Sequence, residues 1–192
     1  MKPLALALFL LSLSVPDPIF AQPTAPEPAD AIAPSDAQEA FEKLKTLAGS
    51  WVGPLTTSPA AEEVEGSFAQ FSLRVTSRGN ALVHEISVSP LPDHPLTMFY
   101  LEEDRLVLTH YCDAGNRPRM VGKLSPDGKT LEFDFLDLTG SNQYGHMHHA
   151  VFTFIDDNHH TEEWTWMMPD DKPVRVRFDL QRTNFESSAV GQ

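Results

Sequence analysis

From Ser50 onward the chain alternates apolar and polar residues with a period of two, the mark of strands that bury one face and solvate the other. Ala69, Phe71, Leu73 and Val75 share a face of 66–75, and Leu82, His84, Ile86 and Val88 share one after the Arg78-Gly79-Asn80 turn. Leu106, Leu108, His110 and Cys112 line up in 106–112, behind the acidic turn Glu102-Glu103-Asp104. Leu131, Phe133 and Phe135 alternate with Glu132 and Asp134, and Trp164, Trp166 and Met168 share a face of 162–168. Val174, Val176, Phe178 and Leu180 alternate with Arg175, Arg177 and Asp179. Segments 50–53, 96–101, 120–124 and 148–155 bring the expected strands to about ten, joined by turns such as Ser125-Pro126-Asp127-Gly128. Strands joined by tight turns pair antiparallel, and closing the sheet removes its edges. The pattern predicts an all-β, about ten-stranded antiparallel up-and-down barrel, with a two-sheet sandwich as the alternative.

The segment before the strands has a different period. Ala40, Phe41, Leu44, Leu47 and Ala48 recur at helical spacing, Ser35 or Asp36 can cap, and Gly49 supplies a stop, so a helix is expected over 37–48. One short helix cannot bury that stripe alone, so it should lie against the barrel. Residues 22–35 are rich in Pro and Ala and read as an extended linker. Lys2, the apolar run 4–15 and Ile19-Phe20-Ala21 read as a signal peptide cleaved after Ala21, since the run is shorter than the roughly 20 residues of a membrane span. The expected organisation is a signal peptide over 1–21, the linker over 22–35, helix plus barrel over 36–183, and a tail over 184–192. An exported, periplasmic or extracellular protein without a membrane span in its mature form follows from it.

Charge and cysteine content narrow the partners. The formal charge is −13, which repels nucleic acid and anionic lipid surfaces. A single cysteine, Cys112, excludes an intramolecular disulfide. No Gly-rich phosphate loop, Gly-x-Ser-x-Gly elbow or His-Glu-x-x-His motif is present, so the enzyme classes with specific local signatures find no support.

The densest chemistry lies in 106–120. If the leucines of 106–112 face inward, His110 and Cys112 face inward too, at the barrel mouth, with Asn116, Arg117 and Arg119 on the adjoining loop and Tyr111 beside them. An imidazole and a thiol there could contact a ligand or bind metal, or else simply pack, as free cysteine often does. His84, alone on an apolar face, reads as a satisfied interior histidine or as a ligand contact. Trp164 and Trp166 belong to the aromatic core or to a cavity wall. His146 and His148 have the spacing of two ligands to one zinc ion but need a third from another strand. His159-His160 follow Asp156-Asp157-Asn158 and read as a solvated turn. Glu162 falls on the Trp164 face and Glu163 on the other, so the two cannot act as an acid–base pair.

The helix followed by Leu47-Ala48-Gly49-Ser50-Trp51 and a run of strands resembles the opening of calycin-type barrels. Leu106-Val-Leu-Thr-His-Tyr-Cys112, Asn116-Arg-Pro-Arg119 and His159-His160-Thr161-Glu162-Glu163-Trp164 are similar to an uncharacterised bacterial DUF1579-like family, over about residues 38–183. The resemblance implies a calycin- or lipocalin-like barrel without an assigned activity. A more distant architectural similarity is to the haem-binding nitrobindins, though no haem-ligand position can be matched residue by residue. The expected function is an exported barrel that binds a small apolar or amphipathic ligand, with His110, Arg117, Arg119 and Tyr111 as polar contacts. A zinc- or haem-dependent enzyme using His110, His146 and His148, and an interaction module without a ligand, are the alternatives.

Overall fold

The computed structural model describes residues 35–183 apart from 63, 65 and 90. The expected signal peptide, the linker up to 34 and the tail 184–192 lie outside the described residues.

The chain opens with helix α1 (Asp36–Lys45), shorter than expected. Its start is fixed by a capping box: the Ser35 side chain accepts from the Gln38 N–H, and the Gln38 side chain accepts from the Ser35 N–H. Asp36 and Glu39 in its first turn and Lys43 and Lys45 in its last complement the helix dipole. Ten strands follow: β1 (Gly49–Ser58), β2 (Phe68–Thr76), β3 (Ala81–Val88), β4 (Leu96–Glu102), β5 (Arg105–Tyr111), β6 (Arg117–Leu124), β7 (Thr130–Thr139), β8 (His146–Asp156), β9 (His159–Met167) and β10 (Pro173–Thr183). Each pairs antiparallel with its sequence neighbours, and β1 also pairs with β10, closing the barrel. The fold is the ten-stranded antiparallel up-and-down barrel that the period of two predicts, and the sandwich alternative is excluded by the closure.

One strand boundary differs for a physical reason. Residues 54–58, read as loop because of Pro54, continue β1: beyond the Pro54–Phe68 pair the strand is held from its other edge, by Leu55↔Phe178 through Ser58↔Arg175. Pro54 has no N–H to give to a ladder, and it is exposed. Gly53 lets β1 and β10 approach closely, because a Cβ there would stand 1.7 Å from the Asp179 carbonyl oxygen.

The barrel ends are unlike. At one end the β2–β3, β4–β5, β6–β7 and β8–β9 turns meet α1, which buries Ala37, Ala40, Phe41 and Leu44 and packs against β4, β5 and β6. Arg182 locks this end: its guanidinium donates to the carbonyls of Ala48 (2.7 Å), Thr46 (3.0 Å) and Asp157 (2.9 Å) and lies 4.1 Å over the Trp51 ring. The other end carries the β1–β2, β3–β4, β5–β6, β7–β8 and β9–β10 loops and has no helix among the described residues. Between them Trp51, Phe71, Phe99, Phe133, Phe152 and Phe178 are buried and pack the interior.

Candidate functional site

Inside the aromatic packing sits a fully buried ionic group. Glu162 alternates on β9 with His160 and Trp164, and His84 arrives from β3. His84 Nε2 donates to both Glu162 oxygens (3.0 and 3.1 Å), His160 Nε2 donates to Oε1 (3.1 Å) and Trp164 Nε1 to Oε2 (2.9 Å). All three ionisable residues have no exposed surface. Burial alone would raise the Glu162 pKa, but His84 and His160 outweigh it and bring it down to about 2, so the carboxylate stays ionised. Both histidines spend Nε2 on that carboxylate, and Nδ1 of each has no hydrogen-bond partner. The His84 ring is enclosed by Phe71, Phe99, Phe152 and Trp164 at centroid distances of 5.3 to 6.1 Å. Such enclosure gives a substrate no approach, and the group ties β3 to β9 across the barrel interior.

His160 therefore corrects the expectation of a solvated turn at 159–160. The turn closes at Asp157-Asn158, β9 begins at His159, and alternation carries His160 inward while His159 bonds Asp179 outside (2.8 Å). The inward period of His160, Glu162 and Trp164 was the available signal, obscured by the acidic turn beside it.

His110 leads from this group toward the open end. It is 1% exposed, its Nδ1 bonds the Thr97 hydroxyl at 2.9 Å, and its ring lies 5.7 Å from Trp164. Burial first, and nearby His84 second, lower its pKa to about 3, so it is a neutral imidazole at neutral pH. His110 and Trp164 form the floor of a cavity of about 180 Å³. Ile86, Val88, Val176 and Phe178 wall it, Met147 joins from β8, and Val64 and Leu91 reach over it from two loops. A larger concavity of about 490 Å³ lies against β1–β3, but there Trp51, Val52, Phe71 and Ile86 are interleaved with Ser50, Ser87 and exposed Gln70, Ser72 and Glu85, whereas the mouth cavity is almost wholly apolar. The mouth cavity is the candidate site.

The other expected site residues divide. Tyr111 is 44% exposed, and Arg117 is exposed too, with buried Pro118 next to it in β6. Arg119 alternates with core Met120 and so lies on the outer wall, bidentate to Asp137 (3.0 and 2.6 Å) and bonded to Glu102 (2.9 Å). Hydrogen bonds to Asp137 push its pKa further up and hold the Asp137 carboxyl below its usual range. The expectation of Arg117 and Arg119 as mouth contacts fails because strand β6 starts at Arg117 and alternation turns both outward. Cys112, just past β5, is half-buried, and burial pushes its thiol pKa up, which disfavours the reactive thiolate. Asn116 is a latch: its Nδ2 donates to Ser141 and Gly145 carbonyls (2.9 and 2.8 Å), tying two mouth loops together. Trp166 is half-buried and donates to the Tyr144 carbonyl (3.2 Å).

His146 and His148 do come together: Nε2 of the first meets Nδ1 of the second at 3.1 Å, across a bulge in β8, and Phe135 stacks on His148. His146 also bonds the Asn142 side chain (2.8 Å), and burial and His148 lower its pKa. No third ligand joins them among the described residues, and His110 is held by Thr97 in the interior. The one group of three close donors described is Glu132, Asp134 and His149, an exposed ion-pair cluster outside the barrel. Haem does not fit: drug-sized ligands occupy about 300–1,000 Å³, and the mouth offers a smaller space than that.

Solved structures share this architecture at low sequence identity. The chain is similar to Rv2717c from M. tuberculosis, with a TM-score of 0.58 and 12% identity, over 75% of this chain and 97% of that one. It is also similar to a DUF3598-family protein of unknown function from Nostoc punctiforme, with a TM-score of 0.51 and 9% identity, over 73% of this chain and 49% of that one. No family model and no curated protein matches the sequence. At such identities the likeness establishes the barrel fold alone.

Proposed function

We propose that this is an exported binding protein that takes a small apolar or amphipathic molecule into the open end of the barrel. The observation that carries the reading is the mouth cavity of about 180 Å³, apolar but for a neutral imidazole and one carboxylate at its edge. An apolar cavity of about 150 Å³ is known to stay dry and to bind benzene, so this volume suits a ring or a short alkyl body. His110 then gives the ligand one hydrogen-bonding group, with Thr97 orienting the ring. The expected polar contacts are accordingly His110 rather than Arg117, Arg119 and Tyr111. Support also comes from the closed end, where α1 and Arg182 seal the barrel and leave one way in.

Native mass spectrometry of the protein exported to a bacterial periplasm, with and without benzene-sized additives, tests the reading. Extra mass on the native protein that Val176→Trp abolishes is the expected result. Equal retention by wild type and Val176→Trp rejects the mouth as the site.

A further inference from the structure

One charged side chain lines the mouth cavity. Asp93, on the β3–β4 loop, stands at its edge with Leu91 and Pro95, half-buried, its Oδ2 taking a long 3.4 Å hydrogen bond from the Asp113 N–H. Among the described residues of the five loops at this end, Glu62, Asp93, Asp113, Asp170 and Asp171 stand against two basic residues, Lys172 and His94, the latter lining the concavity at β1–β3. That lysine is engaged by Asp170 at 2.5 Å. Arg117 opens β6 nearby but is turned to the outer wall. The mouth is therefore an apolar cavity under an acidic rim, with no cation facing it among the described residues.

We propose that the physiological ligand class is a small organic cation, an amine whose compact apolar body fills the cavity and whose ammonium stays at the rim beside Asp93. The proposal rests on the mouth being the binding site. An ammonium at the rim keeps part of its hydration, so it gains the attraction of Asp93 and its acidic neighbours at little desolvation cost. A carboxylate ligand of the same shape meets the reverse. Its charge is brought next to Asp93, and His110 cannot protonate at neutral pH to pair with it. An alcohol of the same shape feels neither effect and ranks between them. The acidic balance of the whole chain, −13, adds a long-range attraction for cations that salt screens.

The test uses three probes with one apolar body: benzylamine, benzyl alcohol and benzoate, titrated into the mature protein and followed by ligand-observed NMR. One favourable and one unfavourable rim interaction together give benzylammonium roughly a tenfold advantage over benzoate at low salt. The gap narrows as salt rises toward 1 M, where the screening length falls to about 3 Å. Asp93→Asn reduces the amine-over-alcohol ratio severalfold. Benzoate binding as well as or better than the amine, or a ratio unchanged in Asp93→Asn, overturns the cation preference while leaving the mouth intact as a site. Failure of all three probes removes the mouth reading itself.

Discussion

The two ends of this barrel are built from the same strands and show opposite chemistry. Strand β9 illustrates it within five residues: His160 and Glu162 stand in a hydrogen-bonded ionic group deep inside, while Trp164 reaches from that group to the floor of an apolar cavity. At the closed end α1 covers the interior, the backbone carbonyls at the helix end are taken by Arg182, and Trp51 donates to the Leu47 carbonyl at 2.8 Å. At the open end loops replace the helix, and the walls of the cavity make dispersion contacts but few polar ones. The difference separates two roles that a single histidine count would merge. His84 and His160 hold the barrel together, whereas His110, a few ångströms from the same tryptophan, faces a space a ligand can enter.

The contrast breaks most severely at Glu162. Glu162→Ala leaves two buried imidazoles and an indole N–H without their acceptor and is expected to lower stability by about 3–5 kcal/mol, measured by urea denaturation with far-UV circular dichroism. A loss below about 1 kcal/mol would show that the group is not structural. Arg182→Ala comes next. It removes three carbonyl bonds and the contact with Trp51, for an expected loss of about 2–3 kcal/mol, with mouth binding preserved because the change is at the other end. Parallel titration of ligand and denaturant on this variant measures both.

The smallest expected effect is on pH dependence. The His110 pKa is depressed in the folded state, so as pH falls the unfolded chain takes up that proton first. Its contribution is fully present above pH 6.5 and is lost as pH falls through the interval toward 3. Glu162, also depressed, adds a second loss that begins below about 4.5 and runs toward 2. His110→Leu should flatten the fall in stability between pH 6.5 and 5, a difference of up to about 2 kcal/mol, leaving the steeper loss below 4.5 in place. Urea midpoints at three pH values decide it, and an unchanged slope would contradict the neutral-imidazole assignment.

Much of this fold was legible in the sequence because period-two alternation is a local signal. Strand order and closure follow from it, as does the inward aim of His110, Glu162 and Trp164, while the helix was legible from its own 3.6-residue spacing. What local pattern cannot carry is which strands meet across the interior: His84 and Glu162 are 78 positions apart, and only barrel closure brings them together. Alternation also misleads where it starts or slips. Arg117 and Arg119 were read as loop because Pro118 masked the beginning of β6, and the β8 bulge changed how Met147 and His148 face. The cavity walls contributed by Leu55, Val64 and Leu91 were invisible for the same reason, since each comes from a segment that read as loop.

The mouth is tested most directly by carbon-13 methyl NMR of the protein while benzene is added. Saturable shifts confined to Ile86, Val88, Leu91, Met147 and Val176, absent in Val176→Trp, are the result this account predicts. Shifts spread over the outer concavity at β1–β3, or no saturable shift at the mouth methyls, would contradict it.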